Sequence, residues 1–232
     1  MMNPLSRRRL LGRLALLPAL YAPWMAGPRA ATLGASTAAD GVRAALARGA
    51  ELAVERLGQT DGFLGNAAVR IGLPRNLAKA EKLLRRMGQG EQVDALVTAM
   101  NRAAEAAVPA GKQVLVDTVK SLSVDDALKI VRGGDTAVTD WFSGRTRKPL
   151  GEAFAPIVQR TTGEVALAQH YDAVAGRAAK LGLMKTEDAD LAGYVTSRTL
   201  DGLYKLVGEE ERKIRQDPVA TGSALLKQVF GR

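Results

Sequence analysis

The chain has no cysteine and a single histidine, His170, among its 232 residues. Without cysteine there is no disulfide, no thiolate metal site, no cysteine nucleophile and no lipid-modified N-terminal cysteine. One histidine also excludes histidine-rich metal sites and any catalytic design that uses two. Chemistry is left to carboxylates, hydroxyls, amides, Lys and Arg. Aromatic residues make up only 4% of the chain, while alanine is abundant, which suits close-packed helices more than a sheet. No stretch alternates long enough to predict a strand. The glycines are not followed by the Gly-Lys-Ser/Thr of a phosphate loop, and no Gly-x-Ser-x-Gly is present. His170, beside Tyr171, reads as a structural residue.

What the chain does have is an unusual start. Residues 3–13 hold four arginines and no acid, 14–25 are almost wholly apolar, and small residues follow, the three-part layout of an export signal. Ser6-Arg7-Arg8-Arg9-Leu10-Leu11 resembles the twin-arginine signal, with Arg9 in the polar position and Gly12 where lysine is common. The apolar run of about a dozen residues is shorter than the roughly 18–20 that span a bilayer. Residues 1–35 are therefore expected to be a signal peptide cut between residues 30 and 36, placing the mature chain, 36–232, in the periplasm or otherwise outside the cytoplasm. The charge changes with it. The whole chain carries 33 basic and 24 acidic residues, net +9, with a pI near 10.0. Arg7, Arg8, Arg9, Arg13 and Arg29 all precede any acid, so the mature chain has 28 against 24, net +4. With no aromatics interleaved among the remaining cations, nucleic acid is not the expected partner.

The rest predicts one all-α domain of about eight to nine helices. From Asp40, taken as a cap, Leu46, Ala50, Ala53 and Leu57 share a face, and Gly58 is the stop. Residues 60–74 are glycine-punctuated and read as irregular or a short turn of helix. A helix over 75–87 should turn Leu77, Ala80, Leu84 and Met87 inward. The next, over 91–108, has an apolar face of Val93, Leu96, Val97, Met100, Ala104 and Ala107. Lys112 to Leu122 follow, and Ser123 starts a further helix as a capping residue that Gly133-Gly134 stops. Asp135 is expected to cap a helix through Phe142, after which 143–154 loosens the chain. Helices resume over 152–162, 164–181 and 187–216, the last after Thr186, and Asp217-Pro218 launches a final one bearing Leu225, Leu226, Val229 and Phe230.

With these segments in view, TDGFL (60–64), IGLP (71–74), MNRAAEAAVP (100–109), GGDTAVTDWF (133–142), YVTSRTLDGLY (194–204) and EEERKIRQDP (209–218) together resemble the bacterial family known as domain of unknown function 4197. The blocks span nearly the whole mature region in the family's order. The resemblance implies an exported helical protein of Gram-negative bacteria and no known activity. Family members often carry an ordinary secretory or lipoprotein leader, from which the twin-arginine pattern departs.

Three polar groups are candidates for a site. Asp94, Thr98, Asn101 and Glu105 recur at i, i+4, i+7, i+11, opposite the apolar face, with Arg102 beside them; they could hold a polar ligand or a hard cation. The plain alternative is a solvated face with an Asn101–Glu105 hydrogen bond. Asp135, Thr136, Thr139 and Asp140 stand at a helix start, where free N–H groups attract anions, although Gly-Gly-Asp-Thr is also how one helix stops and another begins. Arg75, Lys79, Lys82 and Arg86 form a basic stripe that could meet an anionic membrane surface or an acidic partner, or could simply be solvated. No motif implies a cofactor or a metal. The leading expectation is thus a non-enzymatic protein of the cell envelope that binds a small ligand or a partner protein. The alternatives are a carboxylate-based, divalent-cation-dependent hydrolase, which needs Asn101, Glu105, Asp135 and Asp140 to converge, and a structural bundle with no ligand.

Overall fold

The computed structural model describes residues 35–163, 166–182 and 190–217, all within the compact unit Leu33–Arg232. The expected leader and the final helix after Asp217 lie outside the described residues, as does Thr186.

The protein is all-α, and among the described residues there is no strand. Helix α1 is Ala35–Leu57. Leu46, Ala50, Ala53 and Leu57 are buried along it as their spacing predicts. The helix starts before Asp40, which is therefore no cap; its carboxylate accepts instead from Arg43 Nη1 at 2.7 Å. After Gly58 an irregular segment runs to Pro74, and α2 spans Arg75–Arg86. Leu77, Ala80 and Leu84 are buried there, but Met87 is 53% exposed. It falls past the last helical turn, and Gly88, at φ 78°, turns the chain away.

Helix α3, Gly90–Ala107, leads through a 3-10 turn, Val108–Gly111, into α4, Lys112–Lys120. Gly111 lets that turn press on α6, since a Cβ there would sit 2.8 Å from Leu150 Cδ2 and 2.9 Å from Phe154 Cε1. Ser123 caps α5, Val124–Arg132, its side chain accepting from Asp126 N at 3.0 Å.

Helix α6 runs unbroken from Ala137 to Gly163 through Pro149 and Pro156, so the loosening expected over 143–154 does not occur. Each proline removes one helical hydrogen bond and costs about 3 kcal/mol in an isolated helix. Leu150, Phe154 and Val158, all fully buried, offset that loss at about 1.5–3 kcal/mol apiece. Helix α7 is Ala166–Lys180, and α8 is Leu191–Gln216, capped by Asp190, whose Oδ1 accepts from Gly193 N at 2.7 Å.

One large cluster makes up most of the core, with a small second one formed by Ala45 and Ile214. Helix α6 packs on α8 and α3; α1 packs on α4, α5 and α8; α2 packs on α3 and α7. Tyr204 of α8 and Thr146 of α6 share a buried hydroxyl–hydroxyl bond of 2.8 Å at the centre of the α6–α8 interface.

Candidate anion-binding cleft

The segment 58–74 pairs several of its amides in turns, and α3 supplies partners for Phe63, Leu64 and Ile71. Asn101 is fully buried. Its Oδ1 accepts from Ile71 N at 2.8 Å, and its Nδ2 donates to Ile71 O at 2.8 Å and to Val97 O at 2.7 Å. Glu105, 4% exposed, accepts through Oε1 from Phe63 N at 3.0 Å and Leu64 N at 3.1 Å, and through Oε2 from Arg102 Nη1 at 2.6 Å. Arg102 also reaches Asp61 at 2.7 Å, and Asp61 sits at a left-handed φ of 66°. Asn101 and Glu105 are therefore neither a solvated face nor bonded to each other. They are polar anchors, spaced one helical turn apart, that satisfy an irregular backbone which could not otherwise be buried.

Asp94, earlier on the same stripe, does face solvent. It takes a two-pronged contact from Arg85, at 2.6 and 3.1 Å, which holds its carboxyl below the usual aspartate range.

At the start of α6 the expected cap is displaced. Asp135 is exposed, and the first-turn donors turn instead to Glu211 of α8. Val138 N donates to Oε1 at 3.1 Å, and Thr139 N and Oγ1 donate to Oε2 at 3.2 and 3.3 Å. Arg215 holds the same carboxylate at 2.9 Å. Thr136 and Asp140 bond to each other on the exposed first turn, at 3.1 Å. The convergence that a cation-dependent hydrolase requires is not built: among the described residues, no three His, Asp or Glu gather where they could share an ion.

The anchored segment forms one wall of a cleft of about 260 Å³, and α8 forms the other. Arg70, Tyr194, Arg198, Asp201 and Lys205 supply its polar lining, while Val69, Ile71 and Gly202 give it an apolar floor. Gly202 permits the close approach, because a Cβ there would lie 2.6 Å from Phe63 Cε1 and 3.3 Å from Val69 Cβ. Lys205 Nζ donates to Ala68 O at 2.7 Å, and the Tyr194 hydroxyl donates to Gly72 O at 3.0 Å, so α8 grips the loop at both ends.

The single carboxylate, Asp201, is shared by Arg147 of α6 at 2.7 Å and Arg198 at 3.5 Å. Arg198 also stacks over the Tyr194 ring, 5.4 Å from its centroid. The guanidinium of Arg70 has no hydrogen-bond or ion-pair partner among the described residues. Three cations thus face a carboxylate already neutralised, and the cleft is positive.

None of the candidate residues taken from the sequence lines this cleft; Asn101, Arg102 and Glu105 hold its loop from behind, and Asp135, Thr136 and Asp140 lie around the start of α6. A signal for it was present. Tyr194, Arg198, Asp201 and Lys205 recur at i, i+4, i+7, i+11, the periodicity that marked the stripes of α2 and α3. Arg70 could be found only through the fold.

These features define a class: an all-helical domain with a preformed, cation-lined cleft. Among the described residues, no helix is long and apolar enough to cross a membrane. The family described as Protein of unknown function (DUF4197) matches residues 32–231, and the chain belongs to it. No curated protein and no solved structure matches the chain.

Proposed function

We propose that this is a non-enzymatic binding protein, exported to the cell envelope by its N-terminal signal, whose cleft between residues 68–72 and α8 takes a small anion bearing carboxylate or phosphate groups. The observation that carries the reading is the charge of the lining: Arg70, Arg198 and Lys205 against Asp201, which Arg147 already compensates. A volume of about 260 Å³ is near the small end of ligand sites and suits a metabolite-sized ion rather than a polymer. Guanidinium forks match carboxylate and phosphate oxygens in pairs, and the apolar floor accommodates a short carbon skeleton. Export rests on the leader, with its paired arginines followed by a short apolar run.

The test is an NMR titration of the exported protein with inorganic phosphate and with citrate. Saturable shifts confined to residues 68–72 and 194–205 are expected, with affinity falling at least tenfold in Arg198→Ala and in Arg70→Ala. Shifts scattered over the surface, or unchanged by either substitution, refute the site. Native mass spectrometry of protein drawn from its own envelope would then identify a retained anion.

A further inference from the structure

The basic stripe on α2 belongs to no network described so far. Arg75, Lys79, Lys82 and Arg86 are all exposed, and none has an ion-pair or side-chain hydrogen-bond partner among the described residues. The reason lies in Arg85 on the neighbouring face. It takes both nearby carboxylates, Glu81 at 3.0 Å and Asp94 at 2.6 Å, and Glu81 is the helix's only acid. The four remaining cations are left uncompensated along about 16 Å of helix. The described residues have three exposed large hydrophobic side chains, and two of them, Leu83 at 39% and Met87 at 53%, lie on or just past this same helix. At 100° per residue Leu83 stands about 40° from Lys79, at the edge of the stripe, and Met87 follows on the same flank just past the last helical turn. No residue of α2 lines the anion cleft, and the face is a convex helical ridge rather than a groove.

From this juxtaposition we infer that α2 is a docking surface for an anionic phospholipid bilayer, lying flat with Arg75, Lys79, Lys82 and Arg86 among the headgroups and Leu83 and Met87 dipping beneath them. Charge complementarity selects the occupant. A row of unpaired cations with apolar side chains on its flank matches the interfacial geometry of a surface-bound helix, in which cations meet lipid phosphates and short apolar groups enter the acyl boundary. Two apolar side chains make the contact weak and reversible. An acidic protein would satisfy the cations but would leave the exposed Leu83 and Met87 without a role.

Sedimentation with sucrose-loaded vesicles tests this, using protein purified after export so that the arginines of residues 1–35 do not contribute. Partitioning onto vesicles of 30% phosphatidylglycerol in phosphatidylcholine should exceed that onto pure phosphatidylcholine at least tenfold and fall steeply with salt. Lys79→Gln with Lys82→Gln should lower it about twenty-five-fold, since each surface cation is worth roughly fivefold. Leu83→Ser with Met87→Ser should lower it several-fold while keeping the salt dependence. All four positions are exposed, and circular dichroism checks that the variants keep their helices. Equal partitioning onto both vesicle types, or no change in the lysine pair variant, overturns the inference. Binding to soluble polyglutamate without binding to anionic vesicles also overturns it, in favour of an acidic protein. Anion titration of the cleft is unaffected by these substitutions, so the two sites fail or stand separately.

Discussion

Replacing Asn101 by alanine isolates what holds the cleft open. The side chain makes three hydrogen bonds in a fully buried position. The bond to Val97 O matters least, because that carbonyl already accepts within α3. The other two complete the backbone N–H and C=O of Ile71, a buried residue in a segment with no ladder of its own. Each buried backbone group left without a partner costs about 1–3 kcal/mol, so Asn101→Ala should lose roughly 2–5 kcal/mol, a large share of the about 5–15 kcal/mol that a domain has in total. Asn101→Asp keeps the acceptor for Ile71 N but aims a carboxylate at two carbonyl oxygens, and should be at least as damaging. Urea unfolding measures the global loss. Hydrogen exchange measures the local one, with amides of residues 63–72 opening while those of α6 stay protected relative to the lowered global limit. A loss under about 0.5 kcal/mol, or exchange that rises evenly across the molecule, would refute the role assigned to Asn101.

Other substitutions probe the remaining anchors. Glu105→Gln keeps the oxygen that Phe63 N and Leu64 N share and should cost about 1 kcal/mol, whereas Glu105→Ala orphans both donors and should cost about 2–4 kcal/mol by the same unfolding assay. Glu211→Ala strips α6 of its cap and leaves Arg215 half-paired; a loss of roughly 2–4 kcal/mol is expected, and Asp135→Ala should stay within about 0.5 kcal/mol. Burial holds the Tyr204 phenol above its ordinary value of 10.0, against the opposing bond to Thr146. The folded state therefore keeps that proton longer than the unfolded chain. The stabilisation is full below pH 10 and fades as pH rises through the folded value, so Tyr204→Phe should lose less stability than the parent as pH rises above about 10 in urea melts.

Much of the helical plan can be read from periodicity alone, because an apolar face has to recur every three or four residues whatever it packs on. The buried sets of α1 and α3 follow directly from that rule, and Ser123 caps α5 for a purely local reason. The readings that failed depend on tertiary partners. Asn101 and Glu105 look solvent-facing because polar residues opposite an apolar stripe usually are, but a coil with unpaired amides lies across that side of α3. Asp135 looks like a cap because no local pattern can reveal that Glu211, more than seventy residues later, supplies the carboxylate. The stretch 143–154, with Pro149 and two glycines, suggests a loosening that buried phenylalanine and leucine override. The cleft was half legible: its α8 side keeps helical spacing, and its loop side has no period at all.

The cap on α6 also bears on how the molecule is held together. Glu211 and Arg215 lie in the last turns of α8, and Arg215 also ties down Ile130 O at 2.9 Å. Arg56, near the end of the first helix, pairs with Glu210 at 2.7 Å. Residues 210–215, less than two turns of α8, thus serve as a shared latch for α1, α5 and α6. Loosening that one stretch of α8 would therefore release three helices at once, and a local change there should be felt across the whole bundle.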